Sequence, residues 1–213
     1  LNTIDGKTTI AVTATAATSI TGTAADIKTA IQSTGITTSS SYAATVSDAL
    51  TGAAGVSVLN AISSDTTGVV TATIGGTAHD LSSLTDTGNH YTVTLSAGTA
   101  AATDLNAVDV ATTVAVDAGA VTEITGTAAD IKTAIQSLGI ATSTSYAARV
   151  SGSTAVSDLN VIDADTTGVV TATVTETDVT TLKTLTGTGN AYTITVGDTT
   201  VSASDLNTID GKT

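Results

Sequence analysis

The sequence predicts an α/β fold built as an open repeat solenoid, in which short parallel strands alternate with short helices. Three observations predict it: a long internal repeat, helix-start signals at regular intervals, and stretches in which β-branched residues alternate with small polar ones. We expect about four coils of about 50 residues, each with two strands and two helices, because stacked repeats of this kind share a continuous core.

A long block of the chain occurs twice. Residues 19–33 and 123–137 differ only at their first position, which is Ser in one copy and Glu in the other. The octapeptide LNTIDGKT also occurs twice, at residues 1–8 and 206–213. We therefore expect two long repeats, residues 1–104 and 105–213, each of two coils, in one continuous solenoid cut from a longer array.

Two kinds of short unit alternate along the chain. The first kind carries the pattern Leu-Asn-x-Ile/Val, with its asparagines at Asn2, Asn60, Asn106, Asn160 and Asn207. The second kind opens an apolar core at Ile27, Leu81, Ile131 and Val179. Copies of one kind recur about every 50 residues and the two kinds interleave about every 25, a spacing found in solenoid repeats.

Each unit opens with a helix-start signal. A Ser or Thr stands three residues before an Asp, the spacing of a capping box, in which the hydroxyl accepts from an orphan amide and the acid faces the positive helix end. The pairs are Thr23 and Asp26, Thr77 and Asp80, Thr127 and Asp130, Thr175 and Asp178, and Ser202 and Asp205. The next apolar residues, such as Ile27, Ala30 and Ile31, share one helical face and predict helices of about 8 to 11 residues.

An alternating stretch comes after each helix. Apolar residues alternate with Thr or Ala at residues 10–14, 70–74, 91–95, 170–174 and 192–196. A period of two with β-branched residues predicts strands of about five to seven residues. Strands that are joined through helices run parallel with right-handed crossovers. About eight such units allow a closed (β/α)8 barrel as an alternative, but their close similarity favours an open array.

Tyrosine and asparagine mark a longer register. Tyr42, Tyr91, Tyr146 and Tyr192 all fall in strands after the second kind of helix, and every Leu-Asn pair falls in the first kind. Like strands would then stack on like at about 4.8 Å, giving one tyrosine column and one ladder of buried asparagines whose amides pair with each other and with turn backbone. The alternatives are a coil of about 25 residues with a single sheet, and asparagines that only cap their own turns.

The composition excludes several classes of function. The chain carries a net charge of −13 with only 6 Lys and Arg, too few for a surface that tracks nucleic-acid phosphates or an anionic membrane. No apolar run approaches the length of a membrane span, so we expect no membrane insertion. The absence of Cys excludes disulfides and thiol chemistry. Hydrophobic residues make up 41%, enough for a thin core of Val, Ile, Leu and Ala.

The sequence holds no set of residues that would predict catalysis. Its only arginine is Arg149, and its two histidines, His79 and His90, have no counterparts in the other repeat copies, which indicates surface positions. No nucleophile motif, phosphate-binding loop or dinucleotide fingerprint is present. We therefore expect no enzyme activity and no organic cofactor.

Calcium is the one ligand that the sequence leaves open. Asp5, Asp109, Asp163 and Asp165 are expected at helix-to-strand turns, where carboxylates and turn carbonyls can gather around a hard cation. The chain lacks the Gly–Asp nonapeptides of calcium-binding β-rolls and has no EF-hand loop. Most of its aspartates are also explained as acids at helix N-termini.

Rows of outward threonines suggest a second kind of role. Thr on consecutive strands would form a regular array of hydroxyl and methyl groups that fits ice, a glycan or a mineral face. The plain interpretation is a solvated strand face on which Thr is favoured for its β propensity. Val69, Val169 and Ala11 interrupt the rows, and no Thr-x-Thr is kept in every coil.

The blocks SDLNTIDGKT, DADTTGVVTAT and ITGTAADIKTAIQS resemble the long tandem repeats of giant bacterial cell-surface and adhesin-like proteins, especially those of cyanobacteria and other aquatic bacteria. The resemblance covers essentially the whole chain. It implies an exported, extracellular protein that serves as stalk, sheath or fibre at the cell surface and associates with further repeats or copies of itself. Such families keep their binding heads and export signals outside the repeats, so the resemblance assigns no functional residue.

Overall fold

Short helices are separated by one or two short strands through the whole chain, so the prediction of a single strand after each helix is wrong at five of the eight connections. A computed structural model of the protein describes residues 1–213. The helices are α1 Asn2–Asp5, α2 Ala24–Gln32, α3 Gly52–Ser63, α4 Ala78–Leu81, α5 Ala102–Ala111, α6 Ala128–Gln136, α7 Val156–Asp165, α8 Val179–Leu182 and α9 Ala203–Asp210. The strands are β1 Val12–Ala14, β2 Ser19–Gly22, β3 Ile36–Thr38, β4 Ala43–Thr51, β5 Val70–Gly76, β6 His90–Leu95, β7 Gly98–Ala101, β8 Val116–Ala118, β9 Val121–Gly126, β10 Ile140–Thr142, β11 Ala147–Thr154, β12 Val170–Val174 and β13 Ala191–Thr193. The predicted mixed α/β class is confirmed at this level.

The chain divides into two units. The first consists of residues 1–95 and 107–116, and the second of residues 96–106 and 117–213. In the first unit, β6, β5, β4 and β2 are neighbours in that order, and β1 pairs with β3. In the second unit, the order is β13-β12-β11-β9-β7. These pairs are parallel and no sheet closes into a barrel, so the barrel alternative is wrong.

Paired strands lie much closer in sequence than predicted. Thr71 pairs with His90, nineteen residues on, and Ala44 pairs with Val70, twenty-six residues on. The other strand pairs of both units fall within these limits. We call this interval one step. The predicted stacking of like on like at about 50 residues is therefore wrong, because both kinds of unit bury the same alternating pattern and closing the shorter loop costs less entropy.

The predicted helix caps are confirmed at four of five positions. The hydroxyls of Thr23, Thr77, Thr127 and Ser202 accept from the backbone N–H of the Asp three residues later, at 3.0–3.2 Å. The prediction for Thr175 is wrong, since α8 is capped by Asp178, whose Oδ1 accepts from the N–H of Thr181 at 2.8 Å. This hydrogen bond holds the pKa of the Asp178 carboxyl below its usual range.

Carboxylates from one step further along the chain also cap helices, as a second cap for α2 and α8 and as the side-chain cap that α7 otherwise lacks. The first N–H of a helix donates to the acid in three places, namely Ala24 to Asp48 at 2.7 Å, Val156 to Glu176 at 3.0 Å and Val179 to Asp198 at 2.7 Å. A negative charge beside an N-terminal amide satisfies an orphan donor and complements the helix dipole. Part of the acidic composition therefore joins one step to the next.

The core is aliphatic, as predicted, except for its tyrosines. In β5 the residues Val70, Ala72 and Ile74 are buried and the residues between them are not, which confirms the alternation. Tyr42, Tyr91 and Tyr146 are at most 1% exposed and are among the largest fully buried side chains.

Two glycines make room for these tyrosines. Gly68 lies so close to the backbone carbonyl of Tyr42 that an added Cβ would overlap it, and Gly168 lies in the same way against Tyr146. The clash would be with the backbone directly before a paired strand, which cannot rotate away as a side chain can. We infer that only glycine fits at these two turns.

We expect Gly68→Ala to lower the free energy of unfolding by about 1–3 kcal/mol, the usual cost of overpacking. Gly211→Ala is the control, since its added Cβ would make only ordinary contacts, the nearest at 3.5 Å. Urea denaturation monitored by circular dichroism measures both. Equal stability of the two variants would contradict the tight approach at Gly68.

Candidate functional site

Every tyrosine is tied to a threonine one step further along. The four pairs are Tyr42 with Thr66, Tyr91 with Thr112, Tyr146 with Thr166, and Tyr192 with Thr213. In each pair the threonine hydroxyl bonds to the tyrosine backbone, so the contact does not use the phenol. We call these four contacts the Thr–Tyr bridges.

The bridges at Tyr42 and Tyr146 have one geometry. The Thr66 hydroxyl donates to the Tyr42 carbonyl at 2.5 Å and accepts from the N–H of Gly68 at 3.0 Å. The Thr166 hydroxyl repeats both distances with Tyr146 and Gly168. The two hydroxyls are buried, and each satisfies a buried tyrosine carbonyl together with a partly buried glycine amide.

The bridges at Tyr91 and Tyr192 have a second geometry. The Thr112 hydroxyl accepts from the N–H of Tyr91 at 3.0 Å and donates to the carbonyl of the same residue at 2.8 Å. Thr213 does the same with Tyr192, at 3.0 and 3.1 Å. In both geometries, one side chain fixes where the next strand begins relative to the previous one.

The phenols of Tyr42 and Tyr146 are held by acids. Their hydroxyls donate to Oδ2 of Asp65 and of Asp165, both at 2.8 Å. Burial, with a further contribution from the hydrogen bond and charge of the acid, raises the pKa of both phenols well above the ordinary value.

The other two phenols are also kept neutral. Burial raises the pKa of Tyr91 to about 12, and burial with the nearby charge of Asp163 raises the pKa of Tyr192. At neutral pH all four phenols are therefore protonated, and they cannot act as bases or nucleophiles. Their role in this arrangement is to fill the core.

The tyrosines do not form the predicted column. Tyr42 directly precedes β4, Tyr91 lies in β6, and β5 lies between these two strands in the sheet. Tyrosine strands therefore alternate with strands that lack tyrosine.

The Leu-Asn asparagines do not pair with each other as predicted. The side-chain amides of Asn2, Asn60, Asn106 and Asn160 donate instead to backbone carbonyls one step on, those of Asp26, Ser83, Asp130 and Thr184, at 2.8–3.1 Å. None of these asparagines is buried, and Asn207 is exposed. Each amide links its helix to the backbone of the next step. The asparagines therefore form no ladder, and they do not cap their own turns.

The amide oxygens of these asparagines behave in two ways. Oδ1 of Asn60 accepts from the N–H of Thr85 at 3.1 Å, and Asn160 makes the equivalent bond to Thr186. Oδ1 of Asn2 is buried without a partner. The difference arises from helix length, since α4 and α8 end after one turn and free an N–H, whereas α2 continues and uses it within the helix.

The asparagines that are buried were missed by the sequence prediction. Asn89 and Asn190 are 4% and 6% exposed, and their Oδ1 atoms accept from the N–H of Val70 and of Val170 at 2.8 Å. Each asparagine side chain thus gives a strand N–H an acceptor at a step of only 19 or 20 residues. The recurring pattern Thr-Gly-Asn-x-Tyr at residues 87–91 and 188–192 was the available signal.

The calcium candidates lie apart and are engaged with single neighbours. Asp5 accepts from the Ser33 hydroxyl at 2.9 Å, Asp163 from the Asn190 amide at 2.6 Å, and Asp165 holds Tyr146. Asp109 lies in α5. No group of three or more His, Cys, Asp or Glu is placed to hold a metal ion. All four aspartates lie in helices, namely α1, α5 and α7, and not in the turns where the sequence predicted them. Calcium at these residues stays a prediction that the geometry does not strengthen.

The two histidines, the arginine and a pair of strand threonines lie on the surface. His79 and His90 are exposed, and Arg149 pairs with Glu123 at 3.3 Å on the surface. Exposed threonines face each other on neighbouring strands at Thr73 and Thr92.

Neither the helices nor the comparisons assign a function. None of the helices has the length and apolar character needed to cross a membrane. The chain matches no protein-family model, curated protein or solved structure among those to which it was compared. The resemblance to bacterial surface repeats therefore stays a prediction.

We expect Thr66→Val to lower the free energy of unfolding by about 1–3 kcal/mol, because it removes the partner of the buried Tyr42 carbonyl and of the partly buried Gly68 amide. Thr71→Val is the matched control, an exposed strand position where the same change is expected to be neutral. Urea denaturation gives both values. A Thr66 variant as stable as its control would show that the bridge does not contribute to the free energy of unfolding.

We also expect stability to fall as the pH rises above about 10, the ordinary pKa of tyrosine. The unfolded state then loses phenolic protons that the folded state keeps, so the free energy of unfolding decreases with pH. Tyr91→Phe should reduce this slope while changing stability little at neutral pH. Tyrosinate absorbance that rises near pH 10 while the circular dichroism stays native would contradict the prediction.

Proposed function

We propose that this chain is a structural repeat segment of a long secreted bacterial surface protein. Its steps form the coils of an open α/β solenoid, which acts as stalk, fibre or sheath through coil stacking and end-to-end association. The observation that carries the proposal is the recurrence of the Thr–Tyr bridge at every tyrosine of both units.

The bridges support a role based on length. In each unit, side chains of one step bond to the backbone of the adjacent step, as Thr66 does with Tyr42 and Asn60 does with Ser83. Contacts restricted to neighbouring repeats are typical of proteins that grow in one dimension. Each added step then lengthens the protein and contributes a similar free energy of folding, without the need for a new core.

The use of the polar groups also supports it. The buried hydroxyls, the buried asparagines and several acids are bound to backbone one step away. Polar groups that converge on a shared pocket are typical of ligand sites. Here they are distributed along the chain, which fits a spacer or fibre.

The unpaired strand edges give a route to association. In the second unit β7 and β13 are the edge strands of a parallel sheet. An edge offers free N–H and carbonyl groups to another strand. The net charge of −13 opposes side-by-side aggregation, which favours contact at defined ends.

The proposal is tested by sedimentation velocity of the 213-residue chain over a wide concentration range, with electron microscopy of the same samples. We expect concentration-dependent, unbranched oligomers that lengthen with added salt, because salt screens the negative charge. A chain that stays monomeric at high concentration and physiological salt would overturn the proposed end-to-end association.

A second candidate function is adhesion through the threonine face. It is favoured by exposed threonines that pair across strands, as Thr73 does with Thr92 and Thr173 with Thr193. Replacing Thr71, Thr73, Thr171 and Thr173 by Lys should abolish binding to ice, a glycan array or a mineral surface without unfolding the chain. Thr180→Lys, on an exposed helix position, is the control. Unchanged binding in the fourfold variant would exclude this face.

A further inference from the structure

Polar groups converge on one groove in the first unit. The groove has a volume of about 460 Å³ and lies between the end of α3 and the loop before β6. Its lining includes Ser63, Thr67, Asp86 and Asn89, and we call it the Asn89 groove. Volumes of hundreds of Å³ with a few polar groups around them are typical of small-molecule sites.

Asn89 brings an unused hydrogen-bond donor to this groove. The residue is only 4% exposed, and its Oδ1 accepts from the N–H of Val70 at 2.8 Å. Its Nδ2, by contrast, makes no hydrogen bond within the chain. Buried side-chain amides normally use both ends, so this donor indicates a place for a further partner.

The equivalent amide of the second unit has its partner. Asn190 bonds to the N–H of Val170 at the same 2.8 Å, and its Nδ2 donates to Oδ1 of Asp163 at 2.6 Å. In the first unit Ser63 stands in the place of Asp163, directly after the same Leu-Asn-x-Ile pattern. The shorter Ser63 side chain bonds to the Asn60 carbonyl at 3.4 Å instead. The acceptor that completes the second unit is thus missing from the first.

A carboxylate enters the first unit from the opposite side. Asp86 stands where the second unit has Gly187, two residues before the shared Gly-Asn-x-Tyr pattern. After burial, a nearby charge raises the pKa of each equivalent phenol, that of Asp86 for Tyr91 and that of Asp163 for Tyr192. A Cβ at Gly187 would overlap the Asp163 carboxylate, so the two arrangements exclude each other.

The Asp86 carboxylate is also unused. It is exposed and makes no hydrogen bond within the chain. The first unit has therefore lost a carboxylate that bonds to the asparagine and gained one, across an open groove, that bonds to nothing. A water molecule takes up about 30 Å³ in the liquid, so the groove has room for a much larger ligand.

The two unused groups define the chemistry of the ligand. The Asp86 carboxylate and the negative C-terminal end of α3 disfavour an anion. The N–H groups of Asn89 disfavour a metal ion, since they can only donate. A hydroxyl group accepts from an amide and donates to a carboxylate. A small neutral molecule with several hydroxyls on one ring satisfies both groups at once.

We propose that the Asn89 groove binds a neutral saccharide unit. One sugar hydroxyl accepts from Nδ2 of Asn89, and another donates to the carboxylate of Asp86. This site is additional to the structural role and does not depend on end-to-end association. It is also separate from the threonine strand face, since the groove lies beside the end of a helix.

A glycan array and NMR spectroscopy test the site in the full chain. The array, which carries neutral and acidic saccharides, identifies the sugars that bind. Titration with those sugars is then followed through the side-chain amide signals of the asparagines. We expect the signal of Asn89 to shift and that of Asn190 to stay, because Asp163 already holds the second amide.

Substitution of the carboxylate tests its part in binding. We expect Asp86→Asn to raise the dissociation constant about tenfold or more, because a hydrogen bond to a charged acceptor is lost. Asp117→Asn is the matched control, since it removes the same charge at an exposed position that does not line the groove.

Exchange of residues between the two units tests the site without a new local structure. Ser63→Asp with Asp86→Gly gives the first unit the residues of the second, and we expect it to abolish binding while the chain stays folded. Asp163→Ser with Gly187→Asp makes the opposite exchange, and we expect it to raise the number of bound sugars from one to two per chain. Isothermal titration calorimetry measures both.

Three results would overturn the inference. The first is an array on which no neutral saccharide binds, which would leave the groove to water. The second is binding that both exchange variants leave unchanged. The third is an Asn89 signal that shifts with calcium chloride or sodium acetate and with no neutral sugar. None of these results bears on the proposed structural function, which sedimentation velocity tests separately.

Discussion

A side chain that bonds to the backbone one step away sets the register of this fold. Burial of Val, Ile, Leu and Ala is favourable but has no direction, and both kinds of unit present almost the same apolar pattern. A strand that slipped to a different partner would lose little apolar burial. The threonine hydroxyls at Thr66, Thr112, Thr166 and Thr213 bond only when the tyrosine backbone lies at the correct point.

The acidic composition has a structural use in this setting. Acids cap helices of the adjacent step, accept from buried phenols, and pair with Lys132 and Lys183 at 2.6 Å. For Asp205 the hydrogen bond from Lys183, with that from Ser202, holds the pKa of the carboxyl below its usual range. Such partly exposed ion pairs add little stability one by one, but each is specific to one register. The negative charge of the protein thus serves alignment as well as solubility.

Local features of this fold could be predicted from sequence and non-local ones could not. The caps at Thr23 and Ser202 are set within three residues, and the alternation of β5 is set within seven. The step length depends on which of two similar strands is the partner, and the sequence pattern does not distinguish them. The prediction of asparagine pairing was wrong for the same reason. The acceptor for Asn60 is the backbone carbonyl of Ser83, which no side-chain pattern marks.

Every residue type offers the same backbone carbonyl, so a contact to backbone does not depend on the side chain of the accepting residue. This affects how such a chain can change in evolution. The amides of Asn60 and Asn160 bond to the carbonyls of Ser83 and Thr184, two different residues at one structural position just after a one-turn helix. A substitution in the accepting residue therefore needs no matching substitution in the donor. Repeats joined in this way can be duplicated, deleted or exchanged between neighbouring positions, and their sequences can diverge while the joints between them are kept.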